Sequence, residues 1–323
     1  MDKRLSKPNT RIIWSILVVA VIMMTVLFLT YNTYGNWEFA LNYRGKKMLA
    51  FIFVAISTSF ATISFQTLAN NHFLTPSILG FDSLYTLIHT VLFFFMGEQA
   101  KIALLSNQLV MFFVNVSLMI VLSTTLFYFL LKKQGNNLYL LLMVGMILGT
   151  LFGSISTFLQ VLLDPNEFDK LQGKLFASFA NVNTTLLTLA FVFLFFGAGY
   201  LWMVAKKMDV LHLGKDVATN LGINVNRFQW QLLFVISLLV AVSTALVGPI
   251  TFLGFIVANI SYQLFNTYKH RTLFIGSTLI AILMLIGGQF LVEQVFKWNT
   301  TLSVVIEFSG GVYFVGKLLK ERK

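Results

Sequence analysis

The chain contains no cysteine in 323 residues, which excludes disulfides and thiolate metal sites together. Charge is almost as scarce. Asp, Glu, Lys and Arg make up 11% of the residues, against about 25% in an ordinary soluble domain. Histidine is limited to His72, His89, His212 and His270. These are scattered along the chain with no pair at ligand spacing, so no metal is expected. No nucleophile stands beside a base and no carboxylates are paired, which argues against a membrane-embedded enzyme, and no cofactor is expected. Acid is scarcer than base, 12 residues against 23, for a net charge of +11. A nucleic-acid site would gather its Lys and Arg on one face or arm. Here they are dispersed in short segments between apolar runs, so nucleic acid is not an expected partner.

What the chain does have is hydrocarbon: 57% of its residues are hydrophobic. A helix rising 1.5 Å per residue needs about 20 apolar residues to cross about 30 Å of bilayer. Eight stretches come close to or exceed that length: Ile12–Thr30, Met48–Leu68, Ile102–Leu131, Leu138–Leu163, Thr184–Val204, Phe228–Val247, Leu273–Val292 and Leu302–Leu319. Two shorter ones join them. Asp82–Met96 follows the turn-like segment Asn70–Pro76, and Pro249–Leu264 follows Gly248, a breaker before a helix-starting proline. The expected fold is all-α and polytopic, about ten transmembrane helices in one permease domain over 1–323. The first run follows Lys3, Arg4, Lys7 and Arg11, yet it leads into Tyr31-Asn32-Thr33-Tyr34 and not into a small-residue cleavage site. It therefore reads as a retained helix. With ten spans and both termini cytoplasmic, 16 of the 23 Lys and Arg lie on the cytoplasmic side and 7 outside, the sign that the positive-inside rule requires. Dropping either short span moves basic pairs to the wrong side.

The longest cytoplasmic loop on this count, Lys206–Arg227, carries Leu213, Val217 and Leu221 at i, i+4 and i+8 with Ala218 beside them, then Gly222 at a stop position. The pattern predicts a short amphipathic helix outside the membrane. Its apolar stripe can lie on its own protein or on lipid, or dock into a groove on a cytoplasmic partner.

The segment Leu213-Gly214-Lys215-Asp216-Val217-Ala218-Thr219-Asn220-Leu221-Gly222-Ile223-Asn224-Val225 resembles the coupling-helix segment of the FecCD-type permeases of ABC importers, roughly L-G-E-E-x-A-x-x-L-G-V-N-V. The likeness continues into Val247-Gly248-Pro249-Ile250-Thr251-Phe252-Leu253-Gly254-Phe255-Ile256-Val257, where Ala258-Asn259 replaces the usual Pro-His. It is also seen in Phe65-Gln66 and Asn71–Gly80, and it covers most of the chain in order. Resemblance to this family implies a cobalamin-importer-permease-like fold in a bacterial cytoplasmic membrane. It also implies three kinds of partner: ATP-binding cassette ATPase subunits, an extracytoplasmic siderophore-binding protein, and a second permease, homologous or identical. The cargo it implies is an iron–siderophore complex, with haem or cobalamin as the alternatives within the family. A polar second helix (Ser57-Thr58-Ser59-Phe60-Ala61-Thr62) and Gly310-Gly311 in place of Gly-Ala-Pro look like the branch that carries petrobactin-type catecholates. The coupling contact would fall on Leu213, Gly214, Lys215, Asp216, Val217, Ala218, Leu221 and Gly222.

The resemblance also marks a translocation path along the fifth and tenth helices. Gly145, Gly149 and Gly153 give the fifth helix a small-residue face. Beside it Thr150, Ser154 and Thr157, with Gln160 a turn further, form a weakly polar wall; ordinary packing, with each hydroxyl bonded to its own backbone, is the other reading. Glu307 reads as the one carboxylate well inside a span, either structural or part of the path. Arg44 and Lys47, preceding the second helix at i, i+3, resemble the arginines that accept glutamates of the binding protein in this family. Lipid-headgroup anchoring is the other reading. Gly311–Lys317 nearly spells a P-loop, but Leu318 stands where Ser or Thr must bind magnesium. ATP hydrolysis is thus expected on a separate chain. An ion-coupled secondary transporter would instead show broken helices and buried mid-membrane charge.

Overall fold

The computed structural model describes residues 10–32, 35, 37–96, 107–133, 138–179 and 183–321. Among these it shows twelve helices: α1 (Thr10–Thr30), α2 (Trp37–Ala69), α3 (Phe81–Phe95), α4 (Gln108–Lys133), α5 (Leu138–Val161), α6 (Pro165–Leu175), α7 (Thr184–Leu211), α8 (Lys215–Asn220), α9 (Val225–Val247), α10 (Leu253–Phe265), α11 (His270–Phe290) and α12 (Leu302–Glu321). Seven contain stretches long and apolar enough to cross a membrane, and α3, α10 and α12 contain shorter apolar ones. That makes ten, the number that hydropathy and charge placement predict, with α6 and α8 as short polar helices at opposite ends of the bundle. The chain is a multi-pass membrane protein.

The core lies where α2 packs against α7, α9 and α11. Phe51, Phe53, Ala55, Ala61 and Ile63 of α2 are fully enclosed, and so are the polar Ser57, Ser59 and Ser64, so this part of the helix is surrounded by protein on every side. By contrast α1 turns Ile12, Ile16, Val19, Ile22 and Met23 outward, an apolar face that lipid covers and water could not. Close approach between helices rests on glycine. A Cβ on Gly197 of α7 would sit 2.8 Å from Leu239 of α9.

The expected element bounds need correcting in five places, one of them at Pro249, which does not start its helix: that run becomes helical only at Leu253. The second helix begins at Trp37, eleven residues before Met48, so Arg44 and Lys47 lie within it. The fifth run of the count continues through Leu211, which places Lys206 and Lys207 inside α7 and shortens the expected loop. The helix expected from Ile102 is described from Gln108, and its first residues lie outside the described set. Finally α11 passes into a π-helical turn, Leu291–Val295.

α3 and α10 are half-helices. At 15 and 13 residues they rise about 22 and 20 Å, short of the hydrocarbon. α2 finishes at the α8 end, and the chain folds back through 70–80 before α3 begins. α9 finishes at the α6 end, and the chain folds back through 248–252 before α10 begins. The two returns meet inside the bundle, where Thr251 Oγ1 donates to Asp82 Oδ2 at 3.0 Å. Two N-terminal helix dipoles therefore converge on one carboxylate, which they favour.

Candidate functional site

Three regions carry the residues singled out in the sequence. The first is α8. Gly214 (φ 115°) and Gly222 (φ 83°) stand at its two ends in conformations that L side chains rarely adopt. Ile223 N–H bonds to Ala218 O and Gly222 N–H to Thr219 O, the paired bonds of a Schellman stop. Gly222 ends the helix as its position predicts. Ala218 is buried completely, pinning the helix to the protein, while Leu213, Val217 and Leu221 are 62%, 41% and 64% exposed. The stripe is thus turned away from its own chain. Asp216 is exposed beside it. Burial holds the Lys215 ammonium below its ordinary range.

The second region is an open groove between α5 and the start of α3. Thr150, Ser154 and Thr157 line it together with Ser77, Gly80 and Ser83. The glycine face next to it has two separate duties. A Cβ on Gly145 would strike Leu79, and one on Gly149 would lie 3.1 Å from the Gly80 Cα, so these two seat the turn into α3. Gly153 meets nothing and leaves the groove open. Thr150 and Thr157 bond to carbonyls of their own helix, those of Met146 and Gly153, so they present a muted polar wall. Gln160 does not join it: its Nε2 donates to Thr90 of α3 at 3.1 Å. Glu307 is exposed on α12, close enough to Asp82 for the two charges to interact. Asp82, in the first turn of the short helix α3, is a second carboxylate beside it. Asp82 is half-buried at the convergence of α3 and α10, beside a cavity of about 40 Å³ edged by Thr58, Thr62, Thr75 and Ser77, room for about one water.

The third region, at the α6 end, shows intrachain partners for the two basic residues expected to dock a binding protein. Lys47 is only 1% exposed and reaches Glu293 Oε1 at 2.7 Å, with the rings of Tyr43 and Trp298 over its ammonium. It closes the bundle and has no face for docking. Arg44 Nη1 donates to the carbonyls of Phe28, Leu29 and Tyr31, capping the C-terminal end of α1 where those carbonyls lack helical partners. Both basic residues are committed within the chain, and Lys46, between them in sequence, is the exposed one.

The histidines also regroup. His270 lies between Asp209 (Nδ1 to Oδ1, 2.6 Å) and Thr67 (Nε2 to Oγ1, 2.6 Å), and His212 stands 5.8 Å from His72 and 6.5 Å from His270, ring to ring. Desolvation and the His270 charge lower the pKa of His212, against Asp209, which raises it. Asp209 and His212 stand at i, i+3, but positions 67, 72 and 270 carry no local spacing signal that joins them to that pair. Only the fold brings them together. Even so, no group of three acidic or histidine residues among the described residues is arranged to hold a metal ion. His89 lies apart, against Tyr85, beside a cavity of about 350 Å³ that Asn115 also lines.

Comparison with known proteins agrees with this architecture. The chain is 47% identical over 309 residues to the petrobactin import system permease protein YclO of Bacillus subtilis strain 168, covering 96% of this chain and 97% of that one. It is 38% identical over 275 residues to the petrobactin import system permease protein FatC of Bacillus anthracis, 85% of this chain and 77% of that one. Its fold superposes on a solved inward-facing chain described as a metal-chelate type ABC transporter, with a TM-score of 0.81 over 97% of this chain and 100% of that one at 20% identity. The model of the FecCD transport family matches residues 10–320, and this chain belongs to that family of membrane permeases.

Proposed function

We propose that this chain is the permease of an ABC importer for ferric petrobactin or a closely similar catecholate siderophore. Identity of 47% across nearly the whole of a petrobactin import permease supports the cargo. In this reading the α8 end is cytoplasmic, and separate ATPase subunits dock on α8. A second permease of the same family packs against this one, so that the groove of Thr150, Ser154 and Thr157 becomes one wall of a shared path. A weak wall suits cargo that a separate binding protein captures and that must be released inward. With Lys47 and Arg44 committed internally, the binding protein meets Lys46 and the exposed Lys174 of α6.

One observation carries the mechanism: a rigidly pinned helix whose apolar stripe faces away from its own chain. Such a stripe needs an apolar cover, and a groove on an ATPase subunit supplies one. The ion-coupled alternative draws on the broken helices α3 and α10 and on half-buried Asp82, features it does expect. Here the carboxylate is bonded by the Thr251 and Ser77 side chains, and the family match weighs against ion coupling.

Replacing Leu221 by Asp puts a charge into the docked surface. Uptake of radiolabelled ferric petrobactin should collapse while the permease still inserts and the ATPase subunits still hydrolyse ATP on their own. Normal uptake by Leu221→Asp would remove α8 from the coupling surface.

A further inference from the structure

The route from α8 into the bundle is not part of the recognised coupling segment, and the structure shows a candidate. Between α7 and α8 there is no slack. His212 continues the helical path, its N–H bonding to Met208 O, and the N–H groups of Leu213 and Gly214 bond to Val210 O and Leu211 O. A displacement of α8 must therefore be felt in the last turn of α7, where Asp209 sits. Asp209 Oδ1 accepts two bonds from His270, one from the backbone N–H at 2.8 Å and one from ring Nδ1 at 2.6 Å. The first makes Asp209 the N-cap of α11, supplied from another helix, since Lys269 provides no side-chain cap. An ionised carboxylate only accepts hydrogen bonds, so Nδ1 carries a proton by chemistry. Nε2 then meets the hydroxyl of Thr67, near the end of α2, which can donate or accept. His270 is 1% exposed and Thr67 2%, while the Asp209 side chain is 25% exposed, so the joint is enclosed on the His270 and Thr67 side and half-open at the carboxylate.

A second branch starts at His212, whose ring faces His72 on the returning segment 70–80. The His72 carbonyl accepts from Gln66 of α2 and Asn259 of α10. The same segment carries Ser77, which lines the groove.

We propose that Asp209 is a positioning residue for transport: with His270 and Thr67 it forms the joint that passes movement of α8 to α2 and α11. The inference rests on α8 being the ATPase contact. Charge-assisted bonds in an enclosed site are the strong ones, so the joint moves as a unit where apolar packing alone would slip.

The test is reconstitution of the assembled transporter in liposomes with its binding protein, reading ferric chelate imported per ATP hydrolysed. Asp209→Ala removes both bonds to His270 and should lower that ratio at least about tenfold, the factor for one charge-assisted bond alone, with the ATPase subunits still copurifying. Asp209→Asn keeps an acceptor oxygen for the His270 backbone and should recover most of the ratio. A purely structural role predicts a different pattern, in which uptake and assembly fall together and the ratio is kept in whatever assembles. If Asp209→Ala loses its ATPase subunits, Thr67→Val decides, since it removes only a hydroxyl and must itself lower the ratio. A wild-type ratio in the deciding variant overturns the proposal. Leu221→Asp, run beside it, keeps the two ideas apart. If Leu221→Asp uncouples and Asp209→Ala does not, the joint fails and the docking surface stands. If Leu221→Asp stays coupled, the docking surface itself is wrong.

Discussion

Lysine is among the residues least often fully buried unless paired, and Lys47 shows what pairing can do. Its ammonium is held by Glu293 and two aromatic rings, while Gln289 Nε2 donates to the same carboxylate oxygen at 2.9 Å. Breaking such a pair from one side is costly because the other charge stays behind. Lys47→Ala should destabilise the protein by about 3–5 kcal/mol. Lys47→Met combined with Glu293→Gln should recover most of that, since an apolar side chain facing a neutral amide leaves no orphaned charge. Thermal unfolding in detergent measures both. Equal losses in the single and double variants would show the bond to be incidental. Residue-scale contacts of this kind cannot be read from the sequence. Lys47 and Glu293 are 246 positions apart, and a basic residue near the start of an apolar run looks the same whether it caps, pairs or docks.

At the scale of elements the sequence is far more legible, because hydropathy and helix-stop chemistry act locally. Eight spans follow from apolar length and the two short ones from turn signals and charge placement, while the stripe on α8 follows from four-residue spacing and its end from Gly222. What hydropathy misses is helix continued by polar residues, as in Trp37–Lys47 of α2 and Lys206–Leu211 of α7. It also cannot separate two kinds of glycine on α5. Gly149 backs onto Gly80, which itself adopts φ 96° and whose added Cβ would lie 2.8 Å from the Gly149 Cα, whereas Gly153 faces open space. Gly80→Ala should therefore cost about 1–3 kcal/mol from overpacking, with backbone strain adding to it. Gly153→Ala should stay within about 0.5 kcal/mol of the original. Melting temperatures of the purified variants check this. A Gly153→Ala loss as large as that of Gly80→Ala would mean the groove is occupied.

For the molecule as a whole, the open question is which end faces the cytoplasm. Charge gives one answer: ten spans put 16 basic residues on the α8 side against 7 opposite. The structure sharpens the contrast, because two of those seven are spent inside the bundle, Lys47 on Glu293 and Arg44 on the end of α1. Neither remains as a loop charge to oppose the bias, so the effective asymmetry is larger than the count. The two short helices fit the same orientation. α8 offers an apolar stripe for soluble ATPase subunits, while α6 offers a polar surface with Glu167, Lys170 and Lys174. Because the native chain has no cysteine, single cysteines report orientation without background. A cysteine at Asp169 of α6 should react with a membrane-impermeant thiol reagent in intact cells. Cysteines at Lys207 and Arg271 should react only after the membrane is opened. Position 271 is the sharper test, since omitting α10 as a span would move it outside. Labelling there from outside would overturn the ten-span count, whereas labelling at position 207 from outside would reverse the assignment of α8 to the cytoplasm, and with it the docking of ATPase subunits on the Leu213, Val217 and Leu221 stripe.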